Sequence, residues 1–265
     1  MDPGCHVLVD GPFAEGTVRV ERVATTRPST PELDAAIALR YERAIAAADR
    51  EGRRLFDGPT QRWIGHRIEE GRLIVVAGPG RYRDFVATNL APDVIPDVAG
   101  GTLPWSHFGN AIGTSALIVT RDDRLVAGRR SRRVLAYSGH VHSFGGILEA
   151  AADGEAIDVF ASLRRELHEE LGLAAADCAK TTLLGVIREP RIHQPEMLFV
   201  VVTLLDLATL TKRWYAAESH DEHDELVSLQ RAHFLAEPNT LDELAPVSPI
   251  GRAAFALYRR CWAGR

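Results

Sequence analysis

The stretch that decides the fold is "RRELHEELGL", residues 164–173. It places Glu166, Glu169 and Glu170 within five positions of one another. On a helix, Glu166 and Glu170 are neighbours, and like charges at this spacing destabilise a helix by about 0.2–0.5 kcal/mol per pair. Either a fully solvated face or a function that requires the charges would explain why the sequence keeps them.

The apolar residues around the acidic cluster bear on these two explanations. They recur at steps of three and four, which predicts the buried stripe of an amphipathic helix formed by Phe160, Leu163, Leu167 and Leu171. At about 100° per residue, Glu166 and Glu170 fall beside this stripe, and Glu169 lies further round. Carboxylates at the edge of a buried face need a counter-charge, and Arg165 points elsewhere on the wheel. A divalent cation would supply that charge, while a solvated acidic face stays the alternative.

The composition limits the class of protein. The chain has 265 residues, a formal net charge of −5 and 46% hydrophobic residues, which fits one large domain or a domain with a smaller companion. A pI near 6.1 and the lack of a basic tail argue against nucleic-acid binding. The three widely spaced cysteines form no CxxC pair, so neither a disulfide framework nor a structural zinc site is predicted. Without a secretory signal or a membrane-length apolar run, we expect a cytoplasmic protein without membrane contact.

Strand and helix patterns interleave along the chain. "CHVLV" and "TVRVERV" are predicted to be two strands joined by a Gly/Pro turn, and a helix capped by Thr30 follows. A hairpin is predicted to turn at residues 70–71, and "YRDFVATNL", residues 82–90, to form a short helix. A Pro- and Gly-rich linker at residues 91–110 precedes the second half. The interleaving predicts a mixed α/β fold, a sheet with helices on both faces.

The order of strand, double glycine, loop and acidic helix resembles the Nudix hydrolase signature, G-x5-E-x7-R-E-U-x-E-E-x-G-U, where U is a large apolar residue. The second half of that signature is complete at residues 165–173. The first half departs from it, because Gly146 and Arg165 are 19 positions apart (165 − 146) where the signature has 14. Its first glutamate therefore falls at Ile157, and Glu149 and Glu155 lie nearby but out of register.

A narrower resemblance runs from about residue 55 onward. "LFDGPTQRW", "YRDFVATNL", "RRSRRV" and "GGILE" follow the order found in the UDP-glucose/UDP-galactose pyrophosphatase branch of the Nudix family. This resemblance implies a Nudix α/β/α sandwich with a mixed sheet at residues 109–265. It also implies a smaller N-terminal α/β subdomain at residues 1–108, packed against the sandwich and contributing to substrate binding.

The same resemblance implies a Mg²⁺-dependent pyrophosphatase, with Mn²⁺ as an alternative metal, acting on a small-molecule nucleotide sugar. UDP-glucose or UDP-galactose would be hydrolysed to UMP and a sugar 1-phosphate. Two alternatives stay open: another Nudix substrate such as ADP-ribose, and a non-catalytic protein that binds a nucleotide sugar. The glutamate missing at Ile157 favours the non-catalytic alternative, and the intact second half of the motif argues against it.

By resemblance, Glu166, Glu169 and Glu170 are metal ligands, with a carbonyl of Gly145 or Gly146 as a further ligand. Arg165 would orient a glutamate by hydrogen bonds.

Weaker candidates lie outside the motif. The substrate-binding candidates are Tyr82, Arg83, Asn89, Arg130 and Arg132. Glu196 is a candidate additional acid, with an exposed strand end as the alternative. The acidic loop at residues 218–226 is either a solvated loop or the source of a catalytic acid, for which the candidates are His223, Asp224 and Glu225.

Overall fold

The chain alternates strands and helices as its sequence predicts. A computed structural model describes residues 4–52, 55–90, 104–150 and 155–263. The strands in these ranges are β1 (His6–Ala14), β2 (Val18–Arg22), β3 (Pro59–Glu69), β4 (Arg72–Arg81), β5 (Gly113–Val119), β6 (Arg124–Arg130), β7 (Val141–His142), β8 (Phe144–Ile147), β9 (Cys178–Arg188), β10 (Pro195–Thr203) and β11 (His223–Gln230). The α-helices there are α1 (Pro31–Arg50), α2 (Tyr82–Thr88), α3 (Val159–Leu171), α4 (Leu207–Tyr215), α5 (Arg231–Ala236) and α6 (Pro249–Trp262).

The larger sheet has the strand order β1-β9-β10-β5-β6-β11, with β8 paired to β5 and β7 paired to β6. Strands β10 and β5 run parallel, whereas the other pairs are antiparallel, so the sheet is mixed. Ala116 and Ile118 of β5 pack into the core that contains α3, while Leu117 and Val119 pack into the core that contains α6. Because side chains alternate along a strand, this pattern confirms a sheet between helices, an α/β/α sandwich.

A smaller three-stranded sheet has the order β2-β4-β3. The predicted hairpin between β3 and β4 is confirmed, and Glu70 and Gly71 at its turn both have positive φ. The predicted helix α1 begins after Thr30, whose side chain accepts a hydrogen bond from the backbone N–H of Leu33 at 3.2 Å. Trp63 and Leu73 of this sheet lie in the same core as α3, so the smaller sheet packs against the larger one.

The two predicted N-terminal strands are present, but they do not pair with each other. β1 pairs with β9 in the larger sheet, whereas β2 pairs in parallel with β4 in the smaller one. β1 and β2 are neighbours in sequence, but each pairs with a strand that is distant in sequence. As a result they lie in different sheets, and β1 is part of the larger one. The division of the chain between residues 108 and 109 stays a prediction, and most of the predicted linker lies outside the described residues. In the described ranges, no helix combines the length and apolar character that crossing a membrane requires.

Candidate active site

The acidic helix α3 is fixed by its caps and by its apolar stripe. Asp158 accepts hydrogen bonds from the backbone N–H groups of Phe160 and Ala161 at 2.9 and 3.0 Å, and the helix ends at Gly172 with φ +63°. A left-handed residue at this position is a common helix end and costs glycine little. The stripe predicted from the sequence is fully buried in the core. Its packing holds the glutamates beside it against strand β8.

Glu170 is the most buried carboxyl group of the cluster. It is 2% exposed, and its Oε2 accepts a hydrogen bond from the backbone N–H of Gly145 at 3.2 Å. Burial raises the pKa of Glu170 well above its ordinary value, and the charge of Glu222 raises it further, while Arg130 opposes the shift. A carboxylate at this position therefore needs positive charge that the surrounding side chains supply only in part.

Glu166 packs directly on the double glycine. A Cβ atom at Gly146 would lie 2.5 Å from the Oε2 atom of Glu166, so a side chain there would displace the Glu166 carboxylate. Gly145 has φ +144°, and a Cβ there would meet the backbone oxygen of Thr114 at 2.0 Å. Burial raises the pKa of Glu166, and a hydrogen bond from Arg165 opposes the shift. Gly146 thus allows Glu166 of the acidic helix to lie close to β8, and Gly145 allows β8 to lie close to β5.

Arg165 does not point away from the acidic cluster, as the helical wheel suggested, because its long side chain reaches three carboxylates. Its Nη2 is 3.2 Å from Glu149 and 3.3 Å from Glu166, and its Nε is 3.7 Å from Glu169. Glu149 thus reaches the motif arginine from the loop after β8. Ile157, at the position of the missing signature glutamate, packs against the core.

A cleft of about 890 Å³ opens beside the double glycine. Its lining includes both glycines and side chains from four other parts of the chain, among them Tyr82, Phe85, Leu90, Arg130, Arg133, Glu196 and Glu222. Tyr82 and Phe85 belong to α2, and their ring centroids are 6.0 Å apart. The N-terminal segment and the double glycine therefore meet at one cleft, whereas Glu166, Glu169 and Glu170 do not line it.

Glu196, at the start of β10, is buried and not the exposed strand end that the sequence left open. It is 4% exposed and faces Gly113, where a Cβ atom would lie 1.7 Å from its Oε2. Burial raises the pKa of Glu196 to about 8, against the opposing effects of a hydrogen bond with Ser115 and the charge of Arg130. This carboxyl group lines the cleft and holds a proton more tightly than an ordinary glutamate.

In the acidic loop, the structure brings Glu222 to the cleft rather than the residues that the sequence suggested. Glu222 ends a 3-10 turn, His220–Glu222, and burial raises its pKa, although Arg130 opposes the shift. The turn is tied to the acidic helix, because the backbone N–H of Ser219 donates to the carbonyl of Glu169 at 2.9 Å. The nearness of the loop to α3 depends on that long-range contact, and no spacing in the sequence signals it.

Of the three candidates named from that loop, Asp224 and Glu225 lie at the surface, and His223 lies beside Glu170. Glu225 points away from the cleft and pairs with Arg129 at 3.0 Å, and Asp224 is exposed. His223 is 3% exposed, and its Nδ1 lies 4.0 Å from Oε2 of Glu170. Burial lowers the pKa of His223 to about 3, so the ring is neutral.

Of the three substrate-binding candidates in the N-terminal segment, one lines the cleft and two do not. Tyr82 lines the cleft, whereas Arg83 is half exposed and its backbone N–H donates to Asp57 at 3.0 Å. Asn89 is fully buried, and its side-chain amide bonds to Asn110 and to the backbone of Ile192. Its hydrogen-bonding groups are therefore used within the protein.

The arginines at the end of β6 and in the loop after it do not all lie at the cleft. Arg130 lines the cleft, and its Nε donates to the carbonyl of Ala136 at 3.0 Å. Arg132 is exposed and does not line the cleft. Arg133 does, and it pairs with Asp221 at 2.8 Å. The structure thus brings Arg130 and Arg133 together at the cleft.

The carboxylates beside the double glycine are the candidate ligands for a metal ion. Within the described ranges, no three side chains of histidine, cysteine, aspartate or glutamate form a ready-made cage. Magnesium does not require one, because it usually takes one or two carboxylates and completes its shell with water and phosphate oxygens. Glu166 and Glu170, both with raised pKa and too little counter-charge, fit that requirement.

The double glycine, the arginine with its glutamate helix and the mixed α/β/α sandwich are the features of a Nudix hydrolase. Nudix hydrolases are enzymes that cleave a pyrophosphate bond, and curated proteins similar to this chain over most of its length carry names of that class. Human uridine diphosphate glucose pyrophosphatase NUDT22 is 27% identical over 293 residues, covering 98% of this chain and 94% of the relative. Nudix hydrolase 9 of Arabidopsis thaliana is 23% identical over 238 residues, covering 77% and 73%.

No protein-family model matches the chain. Among solved structures, a mutT/nudix family protein from Listeria innocua is 16% identical with a TM-score of 0.37, covering 57% of this chain and 92% of that protein. A similarity at that level supports no functional conclusion.

Proposed function

We propose that the protein hydrolyses UDP-glucose or UDP-galactose to UMP and a sugar 1-phosphate in a Mg²⁺-dependent reaction. The observation that carries this proposal is the shared cleft, which is lined by the double glycine next to the acidic helix and by aromatic residues of the N-terminal segment. The full-length similarity to a protein named as a uridine diphosphate glucose pyrophosphatase supports the choice of nucleotide. In this proposal residues 1–108 contribute to substrate binding and residues 109–265 carry the catalytic groups.

The metal would be held by the carboxylates of Glu166 and Glu170, with Glu169 and the carbonyl of Gly146 as further donors. When bound, a divalent ion neutralises phosphate oxygens and lowers the pKa of a bound water. Arg165 keeps Glu166 and Glu169 in place through its contacts at 3.3 and 3.7 Å. Mn²⁺ would satisfy the same oxygen ligands.

The other residues of the cleft have roles that follow from their chemistry. Arg130 and Arg133 present guanidinium groups, which pair well with the oxygens of a diphosphate. Tyr82 and Phe85 offer aromatic surface for the nucleobase. The proton of the attacking water passes to a carboxylate that faces the cleft, for which Glu196 and Glu222 are the two candidates.

The test is a comparison of kcat/KM for UDP-glucose, UDP-galactose and ADP-ribose with Mg²⁺, with Mn²⁺ and with a chelator. We expect the two UDP-sugars to be preferred, with UMP and sugar 1-phosphate as the products. Glu170→Gln, purified in parallel, controls for contaminating hydrolases. A preference for ADP-ribose would overturn the proposed substrate, and tight binding of UDP-sugars without turnover would favour the non-catalytic alternative.

A further inference from the structure

A buried histidine and a buried serine meet at the wall of the cleft. His142, in β7, is 8% exposed, and its Nδ1 lies 2.7 Å from the hydroxyl oxygen of Ser248. Ser248 is fully buried and caps helix α6, because its Oγ accepts a hydrogen bond from the backbone N–H of Gly251 at 2.9 Å. The motif and the acidic cluster involve neither side chain.

The backbone holds this pair from both sides. The N–H of Val141 donates to the carbonyl of Pro246 at 2.8 Å, and the N–H of Ser248 donates to the carbonyl of Val141 at 3.0 Å. A side chain at Gly251 would come within 2.8 Å of that same carbonyl, so the helix end sits directly on the strand. The C-terminal helix thereby fixes the position of the His142 ring.

The hydroxyl of Ser248 determines which ring nitrogen carries the proton. Its oxygen already accepts from Gly251, and among the described residues the only other atom within hydrogen-bond reach of it is Nδ1 of His142. A buried hydroxyl without an acceptor is costly, so Ser248 donates to Nδ1. A neutral imidazole that accepts at Nδ1 carries its hydrogen on Nε2.

The remaining nitrogen is available to a ligand. His142 lines the cleft, and in the described part of the chain its Nε2 has no hydrogen-bond partner. Burial lowers the pKa of His142 well below its ordinary value, and the charge of Arg130 lowers it further, so the ring stays neutral. The Nε2–H group is therefore a fixed, uncharged donor close to a guanidinium group.

We propose that Nε2–H of His142 donates a hydrogen bond to the diphosphate of the bound nucleotide, in the tautomer that Ser248 selects. This inference rests on the proposed function, because it assumes a nucleotide diphosphate in the cleft. The diphosphate is favoured over the sugar because Arg130 and the double glycine border the same space. A neutral N–H donor beside Arg130 would orient the diphosphate through a directional hydrogen bond without adding positive charge to the cleft.

Two substitutions at His142 separate hydrogen bonding from packing. His142→Phe keeps a ring and removes the donor, whereas His142→Gln keeps an amide N–H near the position of Nε2. His140→Gln is the matched control, because His140 is two residues away and does not line the cleft. Calorimetry gives the Kd of UDP, which does not depend on turnover, and steady-state kinetics give kcat and KM for UDP-glucose.

We expect His142→Phe to weaken UDP binding about 10- to 100-fold, the range for a lost hydrogen bond to a charged group. The KM of UDP-glucose should rise by a similar factor, with a smaller change in kcat. His142→Gln should recover part of the affinity, and His140→Gln should match the parent protein.

Three results would overturn the inference. The first is unchanged UDP affinity in a folded His142→Phe variant. The second is a raised KM for UDP-glucose with unchanged UDP affinity, which would place the donor at the sugar. The third is an equal loss in the Gln and Phe variants, which would make the role structural. A parent protein that binds UDP but does not cleave UDP-glucose would refute the proposed function and leave the inference about His142 intact.

Discussion

The side-chain amide of Asn89 donates a hydrogen bond of 2.9 Å to the backbone oxygen of Ile192, across 103 positions of sequence. Ile192 lies in the turn between β9 and β10, in which the buried carboxylate of Glu189 accepts from the backbone N–H of Arg191 at 2.6 Å. The hydroxyl of Tyr137 donates to the same carboxylate at 2.5 Å. This turn thus joins the N-terminal segment, the arginine-rich loop and the larger sheet around the cleft.

Asn89→Ala is expected to lower the free energy of unfolding by about 2–3 kcal/mol, because buried partners in the backbone lose their hydrogen bonds. Urea denaturation measures this change. Glu42→Ala, at an exposed position of α1, is the control and should change stability by less than about 0.5 kcal/mol. Unchanged stability together with a raised KM for UDP-glucose would instead return Asn89 to the role of a substrate contact.

Glu170→Gln is expected to lower kcat for UDP-glucose on the order of 100-fold or more, since it removes a charge that would hold the metal. Its metal-free stability should match or exceed that of the parent protein, because a buried neutral amide avoids the cost of a buried charge. Steady-state kinetics and thermal unfolding in a chelator measure the two effects. The exposed Glu218→Gln is the matched control. Parent-like turnover in Glu170→Gln would refute the metal assignment.

Glu222 and Glu225 offer a matched pair in the acidic loop. Glu222→Gln should lower kcat at least about tenfold, because its carboxyl group lines the cleft near the acidic helix. Glu225→Gln should stay within about twofold of the parent, because that side chain pairs with Arg129 outside the cleft. The kcat of both variants is measured at saturating UDP-glucose. The reverse order of effects would show that the sequence-based choice of Glu225 was right.

The raised pKa of Glu196 predicts a pH dependence of stability in metal-free buffer. The folded protein keeps this proton up to a pKa of about 8, above the ordinary value of 4.5, so the folded state binds more protons between these values. Stability from this group is therefore complete below about pH 4.5 and is lost as the pH rises through 8. Glu196→Gln should remove a loss on the order of 5 kcal/mol between these limits.

Thermal unfolding of the parent and of Glu196→Gln across that pH range measures the difference. Glu218→Gln should retain the slope of the parent protein, since its position is exposed. Parallel curves for the parent and Glu196→Gln would mean that Glu196 ionises normally in the folded state.

The sequence by itself determined the local features of this protein. The apolar stripe at steps of three and four defined the acidic helix and placed Glu166 and Glu170 at its buried edge, as the structure has them. Thr30 was recognisable as a helix cap, and residues 165–173 carried the resemblance to the Nudix hydrolases. These features depend on residues within a few positions of one another, whose periodicity and capping chemistry are written directly in the chain.

Only the tertiary structure decided which side chains meet at the cleft. It moved β1 into the larger sheet, chose Glu222 over Glu225, buried Glu196, and used the amide of Asn89 for packing. Each of these outcomes depends on contacts between segments distant in sequence, which no local pattern encodes. A strand takes the edge with which its backbone and buried face can pair, and a polar side chain that becomes buried takes whatever partner that pairing brings within reach.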